Sequence, residues 1–263
     1  MDYAGKTVAI TGGARGIGFA MGEAFRAHGA KVALADLEGA EAAAERLAGY
    51  GATVDVREES QIAAFIDETE RRLGPIAVYV SNAGVLRTDE PTMDAAGADD
   101  AAWRLSFEIN VMGAVRGARQ VWPRMRGRGG GVFVVTASAA GLLSLIGAAS
   151  YTATKHAAVA FAESLAITHG DEGLRVVCVC PQGVRTDMLS NTNDNRAATA
   201  DGVVEPADVA RETIAAIAEQ RFLALPHPPV AQYEQLRARE RDQWLDSMRN
   251  FRRGLMKGPA GPA

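Results

Sequence analysis

Short apolar runs alternate with longer helical patterns along the whole chain, and this rhythm limits the possible folds more than any other feature. The spacing predicts strands over Thr7–Ile10, Lys31–Ala35, Ala52–Val54, Ile76–Val80, Gly131–Thr136, Leu174–Cys180 and Phe222–Leu225. It predicts helices over Gly16–His28, Gly39–Ala48, Glu58–Leu73, Ala101–Met125, Tyr151–Gly170 and Pro206–Glu219. Parallel neighbours in a sheet need a crossover between them, usually a helix, so this repetition builds a parallel sheet. The strands are apolar at nearly every position, as expected when both faces are covered. With right-handed crossovers the result is an α/β fold, a doubly wound parallel sheet of about seven strands.

No repeat or low-complexity linker divides the chain, so residues 1–263 are expected to form one domain. Two segments break the rhythm. Residues 186–204 are polar and irregular, which suits a loop that closes over a substrate as a lid. Residues 228–253 form a charged helical extension with Trp244, Met248 and Phe251 on roughly one face, placed to pack on their own domain, cap a pocket or dock on a neighbour. Residues 258–263 are expected to fray. Hydrophobic residues make up 48% of the chain, enough for a sizeable core. Net charge is 28 − 32 = −4, which leaves no basic footprint for nucleic acid. No apolar stretch is long enough to span a bilayer, and Met1–Ile10 has no charged-then-apolar leader pattern. A cytoplasmic protein without a membrane partner is expected. Cys178 and Cys180 share one face of a strand at a spacing poor for a disulfide, and read as small core residues. No Cys/His spacing suggests a metal.

The first strand runs into Thr11-Gly12-Gly13-Ala14-Arg15-Gly16-Ile17-Gly18, and a helix follows. Glycine permits a tight turn and lets backbone approach a bulky anion, and a helix N-terminus offers free N–H groups to phosphate. A glycine triplet is a weak signal alone, but its place between first strand and first helix points to a dinucleotide. Asp36 ends the second strand, 18 residues after Gly18. A carboxylate there can accept ribose hydroxyls and would repel a 2′-phosphate, favouring NAD over NADP. Arg15 is the counter-signal, because a guanidinium could meet that phosphate.

The spacing Gly12, Gly16, Gly18 is followed in order by Asp55-Val56, Ser81-Asn82-Ala83-Gly84, Asn110, Ser138, Tyr151-x3-Lys155 and Pro181-Gln182-Gly183-Val184-Arg185-Thr186. Over about residues 5–190 this ordered set resembles the short-chain dehydrogenase/reductase family. The resemblance implies a Rossmann-type fold, a nicotinamide cofactor and Asn110, Ser138, Tyr151 and Lys155 as catalytic tetrad. It places the cofactor against Gly12, Arg15, Gly16, Ile17, Gly18 and Asp36. Asp55 and Val56 would meet the adenine end, and Asn82, Ala83 and Gly84 would line the groove. Tyr151, Lys155, Pro181, Gly183, Val184 and Thr186 would complete the cofactor site, Thr186 at the carboxamide. It also implies a homodimer or homotetramer, packed through small residues such as Gly113, Ala114, Gly117, Ala118, Ala157, Ala158 and Ala162 on two long helices. The sequence departs from the family at Ser81, at Gln182 and in the Phe222–Val230 segment. That end looks more like relatives of the prostaglandin-dehydrogenase kind.

The chemistry suits hydride transfer. Oxidising an alcohol removes a hydride from carbon and a proton from oxygen, and the cofactor takes only the hydride. A tyrosine hydroxyl ordinarily titrates near 10, but Lys155, four residues on along the helix, would favour its phenolate. Tyr151 would then serve as base in oxidation and acid in reduction. Ser138 would bond the substrate oxygen, and Asn110 would hold Lys155 through water and main chain. His156 points about 100° away from Lys155 and is read as structural. Leu142, Leu143, Leu145, Ile146, Met188 and Leu189 suggest a small hydrophobic alcohol or ketone as substrate, with Arg185 read as a solvated loop residue. The competing readings are an NADP-dependent carbonyl reductase and a non-catalytic nucleotide-binding regulator.

Overall fold

The computed structural model describes residues 2–89, 93–190 and 196–257. β1 (Thr7–Thr11) is buried at every residue, and α1 (Gly16–Ala27) follows it across the glycine loop. Next come β2 (Lys31–Asp36), α2 (Ala40–Arg46), β3 (Tyr50–Thr53), α3 (Glu59–Leu73) and β4 (Ile76–Ser81). The second half continues with α4 (Asp100–Phe107), α5 (Gly113–Arg126), β5 (Gly131–Thr136), α6 (Ala149–His169) and β6 (Leu174–Val179). It closes with α7 (Asp187–Ser190), α8 (Pro206–Glu219), β7 (Leu223–Ala224), α9 (Pro229–Arg239) and α10 (Arg241–Met256).

Among the described residues the seven strands form one parallel sheet in the order β3-β2-β1-β4-β5-β6-β7. Successive strand side chains point to opposite faces, so each apolar strand feeds two cores. Val8, Ile10, Leu34 and Val134 meet α1, α2 and α8 on one side. Ala9, Ala33, Tyr79 and Phe133 meet α3, α5 and α6 on the other, with Tyr79 stacked on Phe133 at 5.4 Å. The order reverses between β1 and β4, and the cleft of such a sheet opens beyond the carboxyl ends of the strands there.

Several expectations change in detail. The long helix expected over Ala101–Met125 is α4 and α5 joined by a π-helical turn at Glu108–Met112. A π-turn admits an extra residue, and here that turn carries Asn110 to both backbone groups of Val85. β3 lies earlier than expected because Tyr50, paired with Ala33, stacks on Phe65. The small residues expected on a subunit face pack largely inward. Gly113 abuts Val56 and Gly117 abuts Tyr79, while Ala114, Ala118, Ala158 and Ala162 are buried within the chain.

The C-terminal extension is two helices, broken at Glu240 (φ −127°, ψ 62°). Trp244 packs into the same core as Val230, so this part of the tail serves its own fold, while Leu245 and Phe251 stay exposed. The irregular segment 186–204 begins with α7, and its far end is stitched back by a parallel bridge between Val204 and Val184. Residues 191–195 of that expected lid, and the expected frayed end 258–263, lie outside the described residues. Cys178 and Cys180 are both buried and free, with sulfurs 3.7 Å apart. Among the described residues no helix is long and apolar enough to cross a membrane, and no cluster of three or more His, Cys, Asp or Glu could hold a metal.

Candidate active site

The glycine loop is shaped by close approach. Gly12 has φ +63°, a left-handed conformation, and a Cβ there would come within 2.8 Å of the Ala83 backbone. A Cβ on Gly18 would lie 2.1 Å from the Gly12 carbonyl. Asn82 Nδ2 donates to that carbonyl at 2.9 Å, locking the loop after β4 to the loop after β1. Thr11 completes the lock, its hydroxyl accepting from the Asn82 and Ala83 N–H groups at 3.1 and 3.3 Å. α1 then starts with no side-chain cap and no acidic residue in its first turn. Its free N–H groups and positive dipole end remain for an anion. The crossing of two glycine-lined loops at an uncapped helix start fits the pyrophosphate of a dinucleotide.

Asp36 sits at the end of β2. One carboxylate oxygen accepts from the Ala14 N–H at 3.0 Å and the other from Leu37 N–H at 2.8 Å. A carboxylate has about four acceptor sites, so this leaves capacity for ribose hydroxyls. Arg15 is exposed and lies 3.8 Å from Asp187. Asp55 is clasped by Arg57 at 2.5 Å, which holds its carboxyl below the usual range. A cleft of about 1230 Å³ runs past these groups. It touches Gly12, Arg15, Gly16, Ile17, Asp36, Asp55, Val56, Asn82, Ala83, Gly84, Pro181, Val184 and Thr186, together with Ser138, Tyr151 and Lys155. Gly18, Gly183 and Asn110 do not line it. Gly18 lies behind Gly12, and Gly183 packs against Ala198 and Gly202.

Tyr151 and Lys155 come from α6, one turn apart and both buried. Lys155 Nζ donates to the Thr136 carbonyl at 2.9 Å and lies 5.5 Å from the centre of the Tyr151 ring. Burial pushes its pKa down to about 8. The expected depression of Tyr151 by Lys155 is absent from this geometry. Burial raises the Tyr151 hydroxyl above its ordinary value, a hydrogen bond with Ser138 works against the rise, and Cys180 adds to it. One N–H of Lys155 is directed at the Thr136 carbonyl, and the ammonium has two more. Ser138 Oγ donates to the Pro181 carbonyl at 3.3 Å and accepts from the Ala140 N–H at 3.1 Å. Asn110 makes no direct bond to Lys155. It accepts from the Val85 N–H at 2.8 Å and donates to the Val85 carbonyl at 2.9 Å and to Thr154 Oγ1 at 3.0 Å. It thus ties the loop after β4 to the helix that carries Tyr151 and Lys155.

Beyond Tyr151 the cleft is walled by Leu86, Met93, Leu143, Leu145, Ile146, Met188 and Leu189. Leu142, expected there too, turns into the core beside Val159 and Leu165. Arg185 is exposed and paired with Glu205 at 2.6 Å. His156 bonds the Thr152 carbonyl at 3.0 Å and meets Arg237 at 3.1 Å, a link to the tail. Sequence reasoning missed Thr11, Thr136 and Thr154, whose hydroxyls or carbonyls act across 71, 19 and 44 residues. It also missed Leu86 and Met93, whose only signal is that they follow the loop after β4.

The sequence pattern of the short chain dehydrogenase family matches residues 6–197. The chain is 38% identical over 195 residues to sex determination protein tasselseed-2 of Zea mays, covering 71% of this chain and 57% of that protein. It is 33% identical over 198 residues to (+)-borneol dehydrogenase 1 of Salvia officinalis, covering 73% of this chain and 75% of that protein. A short chain dehydrogenase/reductase from Burkholderia phymatum, solved in complex with NAD, superimposes with a TM-score of 0.80 at 28% identity, covering 100% of this chain and 99% of that one. The chain belongs to the short-chain dehydrogenase/reductase family of nicotinamide-dependent oxidoreductases.

Proposed function

We propose that the chain transfers a hydride between NAD and a hydrophobic secondary alcohol or its ketone, with Tyr151 moving the proton. The observation that carries this reading is one continuous cleft, with Asp36 and the glycine loops at one end, Tyr151 and Ser138 inside it, and an apolar wall beyond. NAD, when bound, supplies the hydride acceptor. Gly12, Gly16 and the start of α1 hold its pyrophosphate, and Asp36 takes the ribose hydroxyls. In oxidation the alcohol carbon gives up its hydride and the alcohol oxygen gives its proton to the Tyr151 oxygen. In reduction Tyr151 returns that proton. Ser138 meets the substrate oxygen, and Lys155 sits under the Tyr151 ring, anchored by Thr136. The apolar wall selects substrates with few polar groups. Levodione reductase of Leifsonia aquatica, 32% identical over 199 residues and covering 72% of this chain, and the Salvia borneol dehydrogenase carry names for ketone and alcohol chemistry that fit this wall.

The direct test is reduced-nicotinamide absorbance with a panel of apolar secondary alcohols, run with NAD and NADP in parallel. Turnover with NAD is the expected result, and turnover confined to small sugar acids would overturn the substrate reading. Asp36→Ala is expected to narrow the NAD-over-NADP preference in kcat/KM by about 10–100-fold, the weight of a hydrogen bond to a charged group plus the lost repulsion. An unchanged ratio would remove Asp36 from the cofactor site. The NADP reading would draw on Arg15, which is exposed, lines the cleft and lies 3.8 Å from Asp187.

A further inference from the structure

One peptide group connects Ser138 to a histidine far outside the stretch that carries the motifs. The Pro181 carbonyl accepts from Ser138 Oγ at 3.3 Å and from the Ala139 N–H at 2.8 Å. The other end of the same peptide, the Gln182 N–H, donates to His227 Nδ1 at 3.2 Å. His227 lies between β7 and α9 and is 3% exposed. Because Nδ1 accepts, the ring is neutral and carries its proton on Nε2. A doubly protonated ring would turn a donor toward the Gln182 N–H, itself a donor, and the bond would be lost.

The surroundings of the ring are mixed. Burial disfavours the imidazolium, while the backbone at Gly202 and Gly183 and the Asp201 carboxylate favour it. Among the described residues Asp201 is the charge that acts on the ring, and it is engaged by Gln182 Nε2 and by the Tyr233 hydroxyl, each at 2.9 Å. Nε2 makes no hydrogen bond to the described residues. The strand of loop from Pro181 to Thr186 is therefore fastened at Asp201, at the Val184–Val204 bridge and at His227. Of these three, the His227 bond is made by the very peptide that Ser138 touches.

We propose that His227 is a positioning residue for the Ser138 hydroxyl, acting through the Pro181–Gln182 peptide. A peptide group is planar, so fixing its N–H fixes the direction of its carbonyl. Donation from the N–H also polarises the carbonyl and strengthens it as an acceptor. The carbonyl so oriented holds the Ser138 side chain in place beside Tyr151, and the hydroxyl turns its proton from Pro181 to the substrate oxygen when one is bound. This inference rests on the reading of Ser138 as the group that meets the substrate oxygen. It also gives a reason for the residue between Pro181 and Gly183, since Gln182 supplies both the N–H to His227 and the amide to Asp201.

Two variants separate the bond from the space the ring fills. His227→Leu removes the acceptor, and His227→Asn places an amide oxygen near the position of Nδ1. His227→Leu is expected to lower kcat about tenfold, the worth of one positioning hydrogen bond, with KM for NAD within about twofold. His227→Asn is expected to recover most of that loss. The wild-type kcat is expected to fall at acid pH as His227 gains its second proton, and the Asn variant to lack that limb. A reading independent of turnover comes from 15N NMR of the histidine rings. The signal lost in His227→Asn is expected to show an unprotonated Nδ1 and a protonated Nε2 at neutral pH. A ring protonated on Nδ1, an unimpaired Leu variant, or Leu and Asn variants impaired alike would overturn the proposal. A wild-type protein inert on every alcohol would sink the proposed function, while the ring signal would still decide whether His227 accepts.

Discussion

Tyr151→Phe is expected to lower turnover by about 10²–10⁴-fold, the usual weight of general acid–base catalysis, while NAD affinity stays within about twofold. Phenylalanine keeps the ring that packs beside Ala140 and Ala148 and removes only the hydroxyl that meets Ser138. In free-energy terms the loss is about 3–5 kcal/mol of transition-state stabilisation, far more than the packing change can supply. The pH dependence follows from the direction of the Tyr151 shift. Burial raises its pKa, so the hydroxyl keeps its proton through the neutral range. Ketone reduction, which needs the acid form, is expected to hold at neutral pH and fall in alkali. Alcohol oxidation, which needs the phenolate, is expected to climb with pH. Steady-state rates in both directions, with a fluorescence titration of NAD binding, check both points. A Phe variant that keeps its activity would remove Tyr151 from the chemistry.

The second large effect belongs to Gly18. In Gly18→Ala the new methyl would lie 2.1 Å from the Gly12 carbonyl and 2.5 Å from Asn82 Nδ2, the two partners of the bond that locks the loops together. The Gly12 carbonyl is backbone and cannot swing aside as a side-chain tip could, so the loop must open. Overpacking of this kind costs about 1–3 kcal/mol, which corresponds to a drop in Tm of several degrees for a chain of this size. NAD affinity is expected to fall about 10–100-fold, because the same movement displaces the backbone that receives the pyrophosphate. Gly254→Ala on α10, where a Cβ would meet nothing within 4 Å, is the control and should leave NAD affinity unchanged without lowering Tm. Thermal unfolding and cofactor titration of the two variants decide the matter. Wild-type NAD affinity in Gly18→Ala would mean that the pyrophosphate sits elsewhere.

The sheet was legible because doubly covered parallel strands are nearly all apolar and each is set off by a helix of the right length. Gly12 and Asp36 stood out as candidates by their place at the carboxyl ends of strands, Ser138, Tyr151 and Lys155 by the resemblance to the family, and the structure brings all five to one cleft. What escaped was set by distant partners. The π-turn at Glu108–Met112 depends on Val85, 25 residues from Asn110. The inward packing of Gly117 depends on the size of Tyr79, and a small residue on a helix looks the same whether it faces its own sheet or another subunit. The environment of Tyr151 was misjudged for a similar reason. Helical spacing brought Lys155 near, but the Thr136 carbonyl that accepts a hydrogen bond from it comes from β5, elsewhere in the chain. His227 gave no local sign at all, since its partner lies 45 residues earlier in the chain.

The paired thiols of β6 have a consequence for handling the protein. Cys178 lies on β6, flanked by β5 and β7, Cys180 follows just past its end, and neither exposes surface. The hydrogen bond with the Cys180 sulfur, and then burial, push the Cys178 thiol up, away from its reactive thiolate. An alkylating reagent can reach them only when the middle of the sheet parts. The rate of labelling is therefore a clock for opening of the sheet, running in the native protein without denaturant. Slower labelling in the presence of cofactor would then measure, in the same units, how firmly a ligand clamped across the strand ends holds the two halves of the sheet together.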